Sequence, residues 1–417
     1  MKLNLLKKIS YALLLFQGIT MCFSLLVDGQ SNSGQKKQLP DSLYKEVVEM
    51  EKDRVIIAAN QFLLEKPRTL TANSCPRSQG GKHDYYSEGT YWWPDSANPD
   101  GPYIRKDGFR NPENFQEHEI SLHRFSRIVA THSSAFLLTG NEKYAKAAMV
   151  QMEAWFIDTT TRMNPNMLYA QAIKGICPGR GIGIIDAVSL IEVALSVRIL
   201  EKSQSVSPVE IFQIKDWFRQ FTVWLTTHPY GIDEMNAANN HGTWWLAQVA
   251  AYARLTEDSA VTGHCRDLYT KKILPGQMSA DGSFPLEIER TKPYAYSLYN
   301  LDAMAASALI LSDESFDAWN YSLPDGRRIR KGVEFIMPFL KNTEKWPYRK
   351  DVENWEFQPG PRIFILLGAL SENRQDWLTL WKTLKEKNNT DEESMVLPIN
   401  TPILWIQLIN ANLNLKQ

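Results

Sequence analysis

From Asp41 onward, apolar residues return every three or four positions, the period of a helix that turns one face to a core. Residues 41–63 (DSLYKEVVEMEKDRVIIAANQFL) keep this spacing throughout. The next such stretch, 117–140, ends on Gly140, a natural helix stop, and 141–158 resumes the pattern at once, predicting an antiparallel hairpin. A second pair covers 184–203 and 207–228, and its second member opens with Ser207, Pro208 and Glu210, a capping box with proline at the first helical position. The pattern continues through 241–255, 258–274, 298–312, 328–343, 361–371, 373–388 and 400–413. Helix hairpins in series, with few strands and no strict repeat period, predict an all-α fold. The expected architecture is a closed or nearly closed α/α toroid, an incomplete barrel of about six or seven hairpins.

One interval breaks the rhythm. Residues 64–116 are rich in Pro, Gly, Asn and Asp, yet hold Tyr85, Tyr86, Tyr91, Trp92, Trp93 and Tyr103. Such rings are wrong for disorder, and a long irregular segment in a compact domain is usually functional. It reads as an ordered, aromatic-rich loop covering a cleft; the plainer reading is a surface loop anchored by its rings.

Composition narrows the partners. With 46 Lys and Arg against 47 Asp and Glu, the formal net charge is −1, so binding to nucleic acid through a global basic field is not expected. Thirteen Trp and sixteen Tyr suit either a large core or a sugar-binding cleft. At the N-terminus, Lys2, Lys7 and Lys8 precede an apolar run over 9–27 and then a polar stretch, the pattern of an export signal. Residues 1–29 are therefore assigned to a signal peptide (an uncleaved anchor being the alternative), 30–40 to a flexible leader and 41–417 to a single toroid domain. The mature protein is expected in the periplasm or outside the cell, without stable membrane insertion. Met21 before Cys22 argues against lipidation. Cys75, Cys177 and Cys265 are an odd number and include no C-x-x-C pair, so they are expected to be structural rather than zinc ligands.

Candidate chemistry concentrates in two stretches. AANNHGTWW (237–245) sets Asn240 beside His241, and DGSFPLEIERTKPYAYSLYN (281–300) brings Arg290, Tyr294, Tyr296 and Tyr299. An amide, an imidazole, a guanidinium and a phenol suit β-elimination on a uronic acid polymer without metal or cofactor. The proton on C5 leaves more easily once the neighbouring carboxylate is neutralised by hydrogen-bond donors. A tyrosine can take that proton and protonate the departing O4 if positive neighbours lower its pKa from about 10. Taken singly, these residues also have plain readings: Asn before a helix is a favoured cap, and any one tyrosine can be packing. His118, His123, His132 and His264 are read as structural. Competing motifs fail on spacing. HEISLH (118–123) sets its histidines five apart where a zinc-protease helix needs four, and GRGIGIIDA (179–187) lacks the order of a dinucleotide fingerprint. No G-x-S-x-G elbow is present.

NNHGTWW followed by LEIERTKPYAYS resembles the alginate lyase family of polysaccharide lyases, and 91–115 and 164–187 resemble its exported Bacteroidetes-type members. The resemblance runs from about residue 80 to 310. It implies an α/α toroid and metal-independent elimination, with Asn240, His241 and Arg290 neutralising the carboxylate and Tyr296 as base and acid. The Arg-to-Tyr interval is one residue shorter than the family's, which keeps Tyr294 as an alternative. Tyr91, Trp92 and Trp93 would line subsites, and Gln171, Lys174, Arg180 and Glu234 would add polar contacts. The expected partner is thus an acidic polysaccharide: alginate, mannuronate-rich or mixed, or glucuronan. A glycoside hydrolase using an acid pair such as Asp233 and Glu234, or a non-catalytic glycan-binding protein, are the alternatives.

Overall fold

A computed structural model describes residues 41–357, 360–387, 397 and 399–414, so the assigned signal and leader lie outside the described residues. Leu39–Gln417 forms one unit. The chain starts with α1 (Asp41–Phe62) and passes through three short strands, β1 (Tyr86–Glu88), β2 (Trp92–Trp93) and β3 (Ile104–Arg105). Helices α2 (Glu117–Thr139) and α3 (Glu142–Met152) follow, then β4 (Tyr169–Ala172), α4 (Leu190–Leu200) and α5 (Pro208–Thr227). Next come α6 (Pro229–Asn236), α7 (Asn240–Thr256), α8 (Ser259–Leu268) and two one-turn helices, α9 (Leu274–Gln277) and α10 (Pro285–Ile288). The series ends with α11 (Pro293–Leu311), α12 (Ile329–Lys341), α13 (Ile363–Ser371), α14 (Gln375–Lys387) and α15 (Pro402–Asn414).

Burial sorts the long helices into two layers. Helices α4, α7, α11 and α13 are buried at nearly every position, as expected of an inner wall clad on its outer side. By contrast, α1 buries Leu43, Val47, Glu51, Val55 and Ala59, one stripe at four-residue spacing, and leaves the opposite face to water. Packing neighbours run α2–α4–α7–α11–α13–α15 around the inner layer, and α15 returns to α1, α2 and α4. Among the described residues, outer helices alternate with these inner ones along the chain, and α2–α3, α7–α8 and α13–α14 pack as consecutive inner-to-outer pairs, in an α/α toroid whose ends meet. The clasp is Glu192 of α4, buried, which accepts the backbone N–H groups of Asn400 (2.9 Å) and Thr401 (2.8 Å), the Thr401 hydroxyl (2.7 Å) and the Trp405 indole N–H (2.8 Å). It thereby satisfies donors at the start of α15.

Local signals hold where the backbone alone decides. Gly140 ends α2 in the left-handed region, at φ 65°, with its N–H on the Phe136 carbonyl. Ser207, Pro208 and Glu210 form the expected capping box on α5. Two features differ from the periodicity. The helix expected from residue 184 begins at Leu190, because Gly181–Ala187 is a 3-10 turn wedged against β4 and α6. A methyl on Gly183 would lie 2.5 Å from the Ala170 side chain, and one on Gly181 2.7 Å from the Tyr230 carbonyl. These glycines therefore serve close packing. The loop also carries strands that periodicity does not announce: β1 pairs parallel with β4, and β2 pairs antiparallel with β3. Cys75, Cys177 and Cys265 are all unpaired, and no described helix is long and apolar enough to cross a membrane.

Candidate active site

The NNH triplet lies at the start of inner helix α7. Asn239 is the N-cap, its side-chain oxygen accepting the His241 N–H at 3.3 Å. Capping thus falls to the first amide and frees the second. Gly242 follows because a methyl there would stand 2.2 Å from the Ala237 carbonyl. Behind the pair lie two buried carboxylates. Glu234 of α6 meets His241 Nδ1 at 2.7 Å, and Glu287 of α10 accepts the Asn240 backbone N–H at 2.6 Å and its Nδ2 at 2.8 Å. Burial alone would favour neutral imidazole, but the charge and hydrogen bond of Glu234 outweigh it and hold the His241 pKa above its ordinary value. With Nδ1–H directed to Glu234, the other ring nitrogen is left for a ligand.

Arg290 and Tyr296 come together as the sequence expects. The guanidinium lies 4.4 Å from the Tyr296 ring centroid, and the Tyr296 hydroxyl is 2.8 Å from that of Tyr91. Arg290 also acts on the charges of His241 and Glu287, which makes one electrostatic neighbourhood of the two sequence stretches. Asp107 ties the covering loop to this corner: it accepts from Thr291 Oγ1 at 2.8 Å and Arg290 Nη2 at 3.3 Å. One expectation is reversed. Burial, then Tyr91, raises the Tyr296 pKa above that of a free phenol; Arg290 pulls it down without overturning that. In the free protein Tyr296 is a neutral phenol.

Tyr294, the alternative tyrosine, is fully buried on the far side of the same helix turn, edge-on to Trp346 and Trp355. Two residues on a helix point about 200° apart, so only one of Tyr294 and Tyr296 can face the cleft. Glu234, expected in contact with substrate, is 1% exposed and stands behind His241 instead. Its neighbour Asp233 is exposed, so these two acids do not form a glycosidase pair.

On the loop, Tyr91, Trp92 and Trp93 are half-buried. Lys106 lies over the Trp93 ring at 4.8 Å and Arg180 over Trp92 at 5.8 Å. Gln171 spends its amide internally, donating to Asp186 (2.9 Å) and accepting from Arg180 (3.0 Å), with its backbone at φ 50°. Lys174 is exposed and covers Tyr103 rather than the Arg290 corner.

Sequence reasoning missed Asp107, Glu287 and a second polar group around Asp186. Asp186 accepts from Ser87 (2.5 Å), Gln171 and Tyr85 (3.3 Å), and burial plus the charge of Glu119 push its pKa up to about 6. His123, read as structural, is half-buried one helical turn from Glu119 and is held toward neutral by burial. His118 is structural as read: Nδ1 accepts the Tyr86 N–H at 3.0 Å. The signal for Glu287 was its place three residues before Arg290. Among the described residues, no group of acids, histidines and cysteines is arranged to hold a metal ion.

Residues 69–346 match the sequence model of the alginate lyase family. Among solved structures, an alginate lyase from Bacteroides ovatus is 30% identical, with 86% of this chain and 97% of that one aligned at a TM-score of 0.74. A complex of an alginate lyase A1-III variant with a tetrasaccharide shares the fold at 17% identity, with 78% and 88% covered and a TM-score of 0.52. Alginate lyase A1-III from Sphingomonas species A1 does so at 16% identity, with 80% and 89% covered and a TM-score of 0.50. No curated protein matches. The family model spans Asn240, His241, Arg290 and Tyr296, and the chain belongs to the alginate lyase family, a polysaccharide lyase built on the α/α toroid.

Proposed function

We propose that this lyase cleaves the 1,4-linkages of alginate, mannuronate-rich or mixed, by β-elimination, with glucuronan as the next substrate to test. The observation that carries the reading is Arg290 stacked on Tyr296 beside the Asn240–His241 pair. Asn240, protonated His241 and Arg290 supply donors for the uronate carboxylate, which stabilises negative charge as C5 loses its proton. Tyr296 is the proton carrier. As phenolate it takes the C5 proton; the C5–H pair becomes the C4–C5 double bond as the C4–O4 bond breaks; the phenol then protonates O4. Its raised pKa means that the phenol must first release its own proton to solvent, and the Tyr91 hydroxyl, 2.8 Å away, orients that oxygen. Tyr91, Trp92, Trp93 and Arg180 are proposed to border the subsites. The leader-like N-terminus supports export to the periplasm or beyond.

The test is ultraviolet absorbance of purified protein incubated separately with polymannuronate, polyguluronate, glucuronan and a glycosaminoglycan. A rise on an alginate block is expected. New reducing ends without absorbance would instead indicate hydrolysis, and silence by both measures would favour a glycan-binding protein.

A further inference from the structure

Glu287 has no part in the elimination just described, yet it is the most committed side chain around Asn240. It is 1% exposed, and each oxygen takes one donor from Asn240: Oε1 the backbone N–H at 2.6 Å, Oε2 the amide Nδ2 at 2.8 Å. A carboxylate only accepts, so this contact fixes which end of the amide is nitrogen. A second hydrogen on Nδ2 remains for another acceptor. Turned by half a rotation, the same side chain would present its carbonyl oxygen there and repel a uronate carboxylate. Helix capping accounts for the backbone bond alone, Asn239 taking the His241 N–H and Glu287 that of Asn240; it does not explain the bond to the Asn240 amide.

We propose that Glu287 is a positioning residue of the lyase reaction, locking the Asn240 amide with its N–H toward the substrate carboxylate. The inference rests on the elimination reading above. Burial raises the Glu287 pKa above the ordinary carboxylate value, and the two Asn240 bonds, Arg290 and His241 oppose that without overturning it. The site therefore sets two buried carboxylates, Glu234 and Glu287, against His241 and Arg290, and the geometric effect of Glu287 falls on Asn240.

The experiment is a double-mutant cycle on the full chain, with elimination followed by absorbance on the best uronan. Glu287→Gln offers an amide that can bond the Asn240 carbonyl oxygen and so favours the flipped orientation. It should lower kcat about tenfold or more, with a smaller change in KM and a melting temperature near wild type. In an Asn240→Ala background the same change should cost less than about twofold, because Glu287 acts through Asn240. Glu287→Asp gives the same comparison should Glu287→Gln fail to fold. Equal fold-losses in both backgrounds would overturn the proposal and leave the elimination reading intact. Wild-type protein that produces no absorbance on any uronan would overturn both.

Discussion

The hydroxyl oxygens of Tyr91 and Tyr296 stand 2.8 Å apart, joining the covering loop to inner helix α11 across 205 positions of sequence. Tyr296→Phe removes the proposed proton carrier while keeping the ring under Arg290. Turnover should fall about a thousandfold with KM within a few-fold of wild type, as read by absorbance kinetics. A Tyr296→Phe enzyme near the wild-type rate would mean that another group carries the proton. Tyr91→Phe should cost about tenfold in kcat. Because Tyr91 helps to raise the Tyr296 pKa, its loss should also move the onset of alkaline activity to lower pH.

Glu234 is the main group that holds the His241 pKa above its ordinary value. A raised histidine pKa means that the cation's contribution is complete below the ordinary value of about 6.5 and fades as pH climbs through the raised one. Glu234→Gln leaves only the charge of Glu287 against burial, so the fall in kcat/KM assigned to His241 should begin at lower pH than in wild type. A pH profile unchanged by the substitution would detach His241 from that limb. Urea unfolding across the same range should show the matching stability difference shrinking as pH rises.

Tyr294 and Tyr296 make a paired control. The Tyr294 hydroxyl is buried without a hydrogen-bond partner, so Tyr294→Phe should leave the rate unchanged and hold or raise the melting temperature. Tyr294→Ala, by contrast, opens a cavity beside Trp346 and Trp355 and should cost about 3–5 kcal/mol by denaturant titration.

Gly242→Ala tests how tightly the start of α7 is held. The added methyl would press on the Ala237 carbonyl, which is backbone and cannot swing away. A stability loss of about 1–3 kcal/mol is expected, together with reduced kcat from displaced Asn240 and His241. Retention of full activity would show that the turn before α7 can yield.

Much of this architecture was legible in local pattern. Gly140 and the Ser207 box ended and began helices as their chemistry dictates, and the three-to-four spacing located the long helices and the hairpin of α2 with α3; α4 and α5, also expected as a pair, instead pack on α7. What escaped depends on partners distant in sequence. The strand Tyr169–Ala172 exists because Tyr86–Glu88 lies beside it, and the glycines at 181 and 183 are explained only by Tyr230 and Ala170. In the site, Asn240, His241, Arg290 and Tyr296 were visible as residue types suited to one reaction. Of the acids behind them, Glu234 was visible but taken for a substrate contact, and Glu287 had only its place three residues before Arg290 to separate it from a solvated glutamate until its contact with Asn240 is known. The Tyr296 pKa was misjudged for the same reason: sequence shows the cation nearby but not the depth of burial that opposes it.

Glu192 bears on how the molecule is made. It gathers four hydrogen bonds from Asn400, Thr401 and Trp405, residues more than two hundred positions later in the chain. During synthesis the carboxylate of Glu192 therefore waits, unmatched, until almost the whole polypeptide has emerged, and the apolar lining of α4 waits with it. Nascent chains halted before residue 400 would be open horseshoes with a sticky seam, natural clients for chaperones and proteases, and the last hairpin would work as a quality-control seal.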